Sequence, residues 1–245
     1  MSDPNGELQC TTREFVSSFR TPLDAMFWMG GATFKDYVRR DAEIAHARMS
    51  QRASRAAYLV FDVETDGGAG KQLAIQLGFV VFDANHAELF SHEALLRLPK
   101  GRRISWHATR VHKITDNKLH LRGVDPAPEL SLFFQWVDRV VQVRGGIIAH
   151  NAAFDASVIT NTAEACGVHR MLNAKDCTCT MRQATLPAGL LDRRGNPKPP
   201  RNKELYMLLH NGDDPSKWAR LHSAADDARV TAASYRAGCD LGWWH

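Results

Sequence analysis

Residues 58–65, YLVFDVET, constrain this chain more than any other stretch: an apolar run that ends in two carboxylates one residue apart. Strand side chains repeat every second residue, so Asp62 and Glu64 point to one face at the strand's end. The runs IQLGFVVFD and ELFSHEALLRL predict two further strands directly after it, an opening β-meander, with a helix around SWHATRVHKI. In ELSLFFQWVDRVVQV, Leu130, Phe133, Phe134, Val137, Val140 and Val141 recur at helical spacing and mark a core-facing helix that Gly145-Gly146 ends. IIAH then reads as a buried strand that delivers His150 and Asn151 to the edge where Asp62 and Glu64 emerge, followed by a helix at AAFDASVI and a last strand near 175–178.

Helix-start chemistry places the remaining acids. Asn151 reads as an N-cap and Asp155 as a first-turn acid that also suits the helix dipole. In HSAADDA, Ser223 and Asp226 have capping-box spacing, which gives Asp226 a structural job and leaves Asp227 as the ligand. His222 then falls in the approach to the helix, where an imidazole can swing. Hard divalent cations prefer carboxylate oxygens, and paired Mg²⁺ or Mn²⁺ ions about 3.5 to 4 Å apart recur in phosphodiester hydrolysis.

FDVET, AHNAAFD and HSAADD resemble, in order and internal spacing, the three motifs of the DEDDh exonucleases, the superfamily of ribonuclease T and polymerase proofreading subunits. The resemblance covers residues 58–236. Taken singly each motif is weak, and their joint order carries the likeness. WHATRVHKIT looks like the family's helix ending in a His-Gly-Ile-Thr-like turn, with Lys113 where glycine is common. The resemblance implies an α/β fold, a ribonuclease-H-like mixed five-stranded sheet flanked by helices. It also implies removal of mononucleotides, as nucleoside 5′-monophosphates, from single-stranded 3′ ends of DNA or RNA. Asp62, Glu64, Asp155 and Asp227 are then the ligands of two Mg²⁺ or Mn²⁺ ions, and His222 is the general base. Two other readings stay open: a non-catalytic nucleic-acid-binding module of the same fold, and a short-oligonucleotide hydrolase.

Two departures from the family pattern bear on the substrate. After Thr65, where the family often supplies a glycine and a bulky apolar wedge for the terminal base, this chain reads Asp66-Gly67-Gly68-Ala69-Gly70. Gln76 stands where the family frequently has a glutamate. Trp106, Trp136, Trp218 and Trp243-Trp244 are alternative stacking residues, although core or interface packing is the more ordinary use of each. Thr65, His150 and Asn151 are candidate substrate contacts beside the metal motifs. LPAGLLDRRGNPKPPRNK reads as an exposed basic loop, and its Arg193, Arg194, Lys198, Arg201 and Lys203 are candidate phosphate contacts.

A net charge of +4 suits a polyanionic substrate without implying one. Five scattered cysteines form neither a disulfide framework nor paired zinc knuckles, so reduced thiols and no zinc are expected, with Cys177 and Cys179 packed in a strand. The sequence shows neither a spanning segment nor a secretory pattern, and acids interrupt any transit-peptide pattern, so a soluble intracellular protein is expected. Residues 1–57 read as a helical extension to a catalytic domain over 58–245. Thr11 with Glu14, Thr21-Pro22 with Asp24, and Thr33 with Asp36 each mark a helix start.

Overall fold

The structure, a computed structural model, describes residues 51, 54–68 and 70–244. The three helices expected near the N-terminus lie outside these residues. A five-stranded sheet runs in the order β3-β2-β1-β4-β5. Strands β1 (Ala56–Thr65), β2 (Ala74–Asp83) and β3 (Glu88–Leu95) form the expected antiparallel meander. On the other edge of β1, β4 (Gly146–Ala149) and β5 (Cys177–Cys179) continue the sheet in parallel, which makes it mixed. Cys177 and Cys179 are buried free thiols within β5.

Helices α1 (Trp106–His112), α2 (Asp116–Arg122) and α3 (Pro126–Gln142) fill the connection from β3 to β4. They are followed by α4 (Ala152–Ala165) after β4, and by α5 (Thr180–Ala184), α6 (Asn202–Leu209) and α7 (Ala224–Asp240) after β5. Ser105 and Thr115 cap α1 and α2 by accepting the amides of Ala108 and Lys118. Helix α3 ends ahead of the expected glycine stop, because Arg144 takes the left-handed turn at φ +58°. Gly145 is needed for closeness instead: a Cβ there would sit 2.1 Å from the Ala57 carbonyl oxygen.

Central strand β1 is covered on both faces and so reads as a near-continuous apolar run. Tyr58 and Val60 pack with Ala228 and Ala232 of α7. On the other face the Phe61 ring lies 5.3 Å from that of Phe133 in α3. The two-residue period therefore places Asp62 and Glu64 on the face that α7 covers. Trp136 is buried at 2 % exposure, whereas Trp106 and Trp218 are 63 % and 49 % exposed. Among the described residues no helix is long and apolar enough to cross a membrane.

Candidate active site

Asp62 and Glu64 leave the end of β1, Asp155 comes from the first turn of α4, and His222 and Asp227 flank the start of α7. All five line one cleft of about 490 Å³. The cleft lies beyond the carboxyl ends of the parallel strands, where open α/β sheets place their ligand sites. The β1–β4 ladder ends at the pair Val60 and Ile148. Further along β1, the Val63 amide donates to the Asp155 carboxylate, which ties α4 to the strand between the two acids of FDVET.

Crowding four carboxylates in a buried place raises the cost of ionising them. Burial, then the charges of Asp155, Asp227 and Glu64, hold Asp62 well above the carboxylate range. Burial, then Asp227 and Asp155, push Glu64 up to about 8. Burial also raises Asp155 and Asp227. Carboxylate oxygens gathered in this way fit hard divalent cations, whose charge would relieve the repulsion. The ligating atoms of Glu64, His222 and Asp227 lie within 4.8 Å of one another.

The leading amides of α7 are satisfied by the sheet. The Ala224 amide donates to Gln76 Oε1 at 3.2 Å, and the Ala225 amide to Glu93 Oε2 at 3.1 Å. Between these acceptors lies Gly78, the strand partner of both Asp62 and Glu93. The expected capping box of Ser223 and Asp226 does not form, because the Ser223 amide donates to the Arg220 carbonyl at 3.1 Å and both side chains are engaged elsewhere. Ser223 Oγ donates to Glu93 at 2.5 Å instead. The Asp226 carboxylate accepts the Arg220 amide at 3.0 Å and the Arg229 guanidinium at 3.2 Å. Gln76, which stands where the family frequently has a glutamate, thus supports the site through this amide.

Asp227 accepts the backbone amide of His222 at 2.8 Å. His222 takes a left-handed backbone, φ +64°, and its ring is exposed at the cleft. Partial desolvation, then the nearby Lys113 charge, hold its pKa below the usual histidine value, so the imidazole is neutral near pH 7. Lys113 ends α1 with φ +60°, the conformation that glycine accommodates most easily. Just before it, His112 accepts the Ile114 amide on Nδ1 at 3.0 Å, so its Nε2 carries the proton and donates to the Thr65 carbonyl at 3.2 Å. The turn is thereby clamped one residue beyond Glu64.

The weaker candidates divide. His150, Asn151 and Arg201 line the cleft. His150 also braces it: Nε2 donates to the Pro200 carbonyl at 3.0 Å and Nδ1 faces Thr180 Oγ1 at 3.1 Å. Desolvation lowers the His150 pKa to about 4. Asn151 stands at the start of α4 without a capping hydrogen bond from its side chain. The Thr65 hydroxyl donates to Gln72 at 2.9 Å. Arg193, Arg194 and Lys198 lie outside the cleft lining, on a small exposed hairpin closed by the Leu191–Pro197 bridge. Lys198 pairs there with Glu204 at 2.8 Å. Lys203, from the same basic stretch, lines the cleft and pairs with Asp214 at 2.7 Å.

Several lining residues escaped the sequence reading: Phe154, Asn202, Glu204, Met207 and Leu221. Three of them belong to α6, where Leu205, Tyr206, Leu208 and Leu209 at helical spacing were the available signal. Asn202 joins α6 to α7 by donating to the Asp227 carbonyl at 3.1 Å.

The RNase T exonuclease family model matches residues 59–235. A search of curated proteins finds no significant match. Among solved structures, cell-death related nuclease 4 (CRN-4) aligns with TM-score 0.58 at 14% identity, covering 76% of this chain and 64% of that one. The nuclease domain of 3′hExo, described as a DEDDh family member, aligns with TM-score 0.56 at 12% identity over 77% of this chain and 94% of that one. E. coli Exonuclease I in complex with a dT13 oligonucleotide aligns with TM-score 0.55 at 18% identity over 74% of this chain and 40% of that one. The chain thus spans less than two thirds of CRN-4 and less than half of Exonuclease I. These likenesses show the shared fold, and the family model covers well over half of the sequence. The chain belongs to the RNase T family of exonucleases.

Proposed function

We propose that this protein is a 3′-to-5′ exonuclease that removes nucleoside 5′-monophosphates from single-stranded ends of DNA or RNA, with two divalent cations and His222 as general base. The observation that carries the proposal is the convergence, from three distant segments, of four carboxylates and one histidine on a single cleft. Asp62, Glu64, Asp155 and Asp227 are the residues that would hold Mg²⁺ or Mn²⁺. Bound there, the ions would supply an activated water and neutralise charge on the leaving 3′ oxygen. The neutral His222 ring would take the proton of the attacking water, and the bond from its amide to Asp227 holds its backbone beside the carboxylates.

Around the chemistry, the cleft offers surfaces for a terminal nucleotide. Phe154, 40 % exposed, forms an apolar wall with Met207 and Leu221 against which a base can rest in place of the missing wedge. Arg201 is a phosphate contact at the rim. The family's solved relatives include a 3′hExo domain bound to rAMP and Exonuclease I bound to dT13, so the fold accommodates both sugars. Chromatography of products from matched DNA and RNA oligonucleotides with Mg²⁺ tests the proposal. Nucleoside 5′-monophosphates are expected, and 3′-monophosphates, internal fragments or no released nucleotide would overturn it.

A further inference from the structure

The chain's positive charge is concentrated in one stretch. Residues 97–122 hold eight of the 31 Lys and Arg and one of the 27 Asp and Glu, which leaves 23 basic against 26 acidic residues elsewhere. The basic character therefore belongs to the connection between β3 and α3. Folding shapes it into a groove of about 470 Å³ between loop 97–103 and α2, with Lys100, Arg103 and His120 exposed along it. The groove's one lining carboxylate, Asp116, accepts the Ile104 amide at 3.0 Å. Arg102 is matched by the buried Asp66, and Arg97 donates to the Gly123 carbonyl at 2.7 Å. Among the described residues neither Lys100 nor Arg103 has an ion-pair partner.

This groove is fastened to the active site. Arg102 pairs with Asp66, and the Ser105 amide donates to the Asp66 carbonyl at 2.8 Å, two residues beyond Glu64. The same segment exposes Trp106, with the Arg110 guanidinium 4.7 Å over its ring. Surfaces that bind a nucleic-acid chain irrespective of sequence combine a positive groove with exposed aromatic rings. An ordinary solvated face intersperses both signs of charge.

We propose that the groove of loop 97–103 and α2 binds phosphates of the substrate chain upstream of the nucleotide being removed, an assignment that rests on the nuclease reading above. Lys100 and Arg103 are its principal contacts. The test measures binding of a labelled single-stranded oligonucleotide, about 20 nucleotides long, by anisotropy in EDTA across a salt series, for wild type, the double variant Lys100→Glu/Arg103→Glu, and Arg144→Glu. Arg144 is exposed at the opposite end of the sheet, before β4, and controls for net charge.

The double variant is expected to bind roughly tenfold more weakly at low salt. Its log–log salt slope should be shallower by about 1.4, from two phosphate contacts at about 0.7 each. Arg144→Glu should stay within about twofold of wild type. Unchanged binding by the double variant, or an equal loss in Arg144→Glu, overturns the proposal. EDTA prevents turnover during the binding measurement, and cleavage of the same oligonucleotide is followed separately with Mg²⁺: binding through the groove without cleavage in Mg²⁺ would overturn only the nuclease reading, and cleavage with binding unaltered in the double variant only the groove.

Discussion

Gly78 in β2 lies directly beneath Ala225 at the start of α7: a Cβ built on the glycine would come within 2.1 Å of the Ala225 amide nitrogen. Gly78 is also the strand partner of Asp62, so the helix that carries Asp227 rests on the neighbour of the first carboxylate of the cleft. Gly78→Ala must lift that helix start. The expected result is a loss of kcat/KM of about a hundredfold with destabilisation of about 1 to 3 kcal/mol. Steady-state assays and thermal unfolding check both, and a folded variant with full activity would separate the helix position from catalysis.

The Gln76 carboxamide supplies the acceptor for the fully buried Ala224 amide. Gln76→Leu leaves that amide unpaired and should cost about 1 to 3 kcal/mol, with activity lost as the start of α7 shifts. Gln76→Glu keeps the acceptor and should retain most activity with Mg²⁺ present. Denaturant titrations with parallel nuclease assays distinguish the two, and equal behaviour would show that the acceptor is irrelevant.

Lys113 joins backbone strain to the charge near His222. Lys113→Gly removes a side chain from a left-handed position and should stabilise the protein by about 1 kcal/mol. It also removes a positive charge that lowers the His222 pKa, so that pKa should rise. The acid limb of the pH–rate profile should then move to higher pH. A limb that stays in place would argue against His222 as the base or against its coupling to Lys113.

The crowded carboxylates make metal-free stability depend on pH. Glu64, raised to about 8, and Asp155, raised by burial, hold protons in the folded chain at pH values where the unfolded chain has released them. Stability therefore falls as pH rises through that window. The depressed His150 works in the opposite sense, its contribution being lost as pH falls below the unfolded histidine pKa of about 6.5. Between about pH 6.5 and 8.5 the carboxylates should dominate, so the Tm in EDTA should drop across this range and Mg²⁺ should abolish the drop. The same drop with and without Mg²⁺ would contradict the assignment of a cation cage.

The readable parts of the chain were those governed by local periodicity. The two-residue repeat put Asp62 and Glu64 on one face, and apolar runs located the meander and α3. What escaped were partnerships made across the fold. The Gln76 and Glu93 acceptors stand 148 and 132 residues from the α7 amides they satisfy, so HSAADD alone suggested a local capping box. Arg144 and His222 adopt left-handed turns without glycine, held by their surroundings. The charge of residues 97–122 is plain in the sequence, but its attachment to the site depends on Asp66, a buried residue whose Arg102 partner lies 36 positions away.

Digestion of a 5′-labelled single-stranded oligonucleotide by wild type and Asp227→Ala, with Mg²⁺ and with EDTA, tests the central claim most directly. Wild type with Mg²⁺ should give a ladder that shortens one nucleotide at a time while the 5′ label stays on the chain. EDTA should stop it, and Asp227→Ala should be slower by at least about a hundredfold. Label released first as a mononucleotide, or equal ladders from the two proteins, would contradict the account.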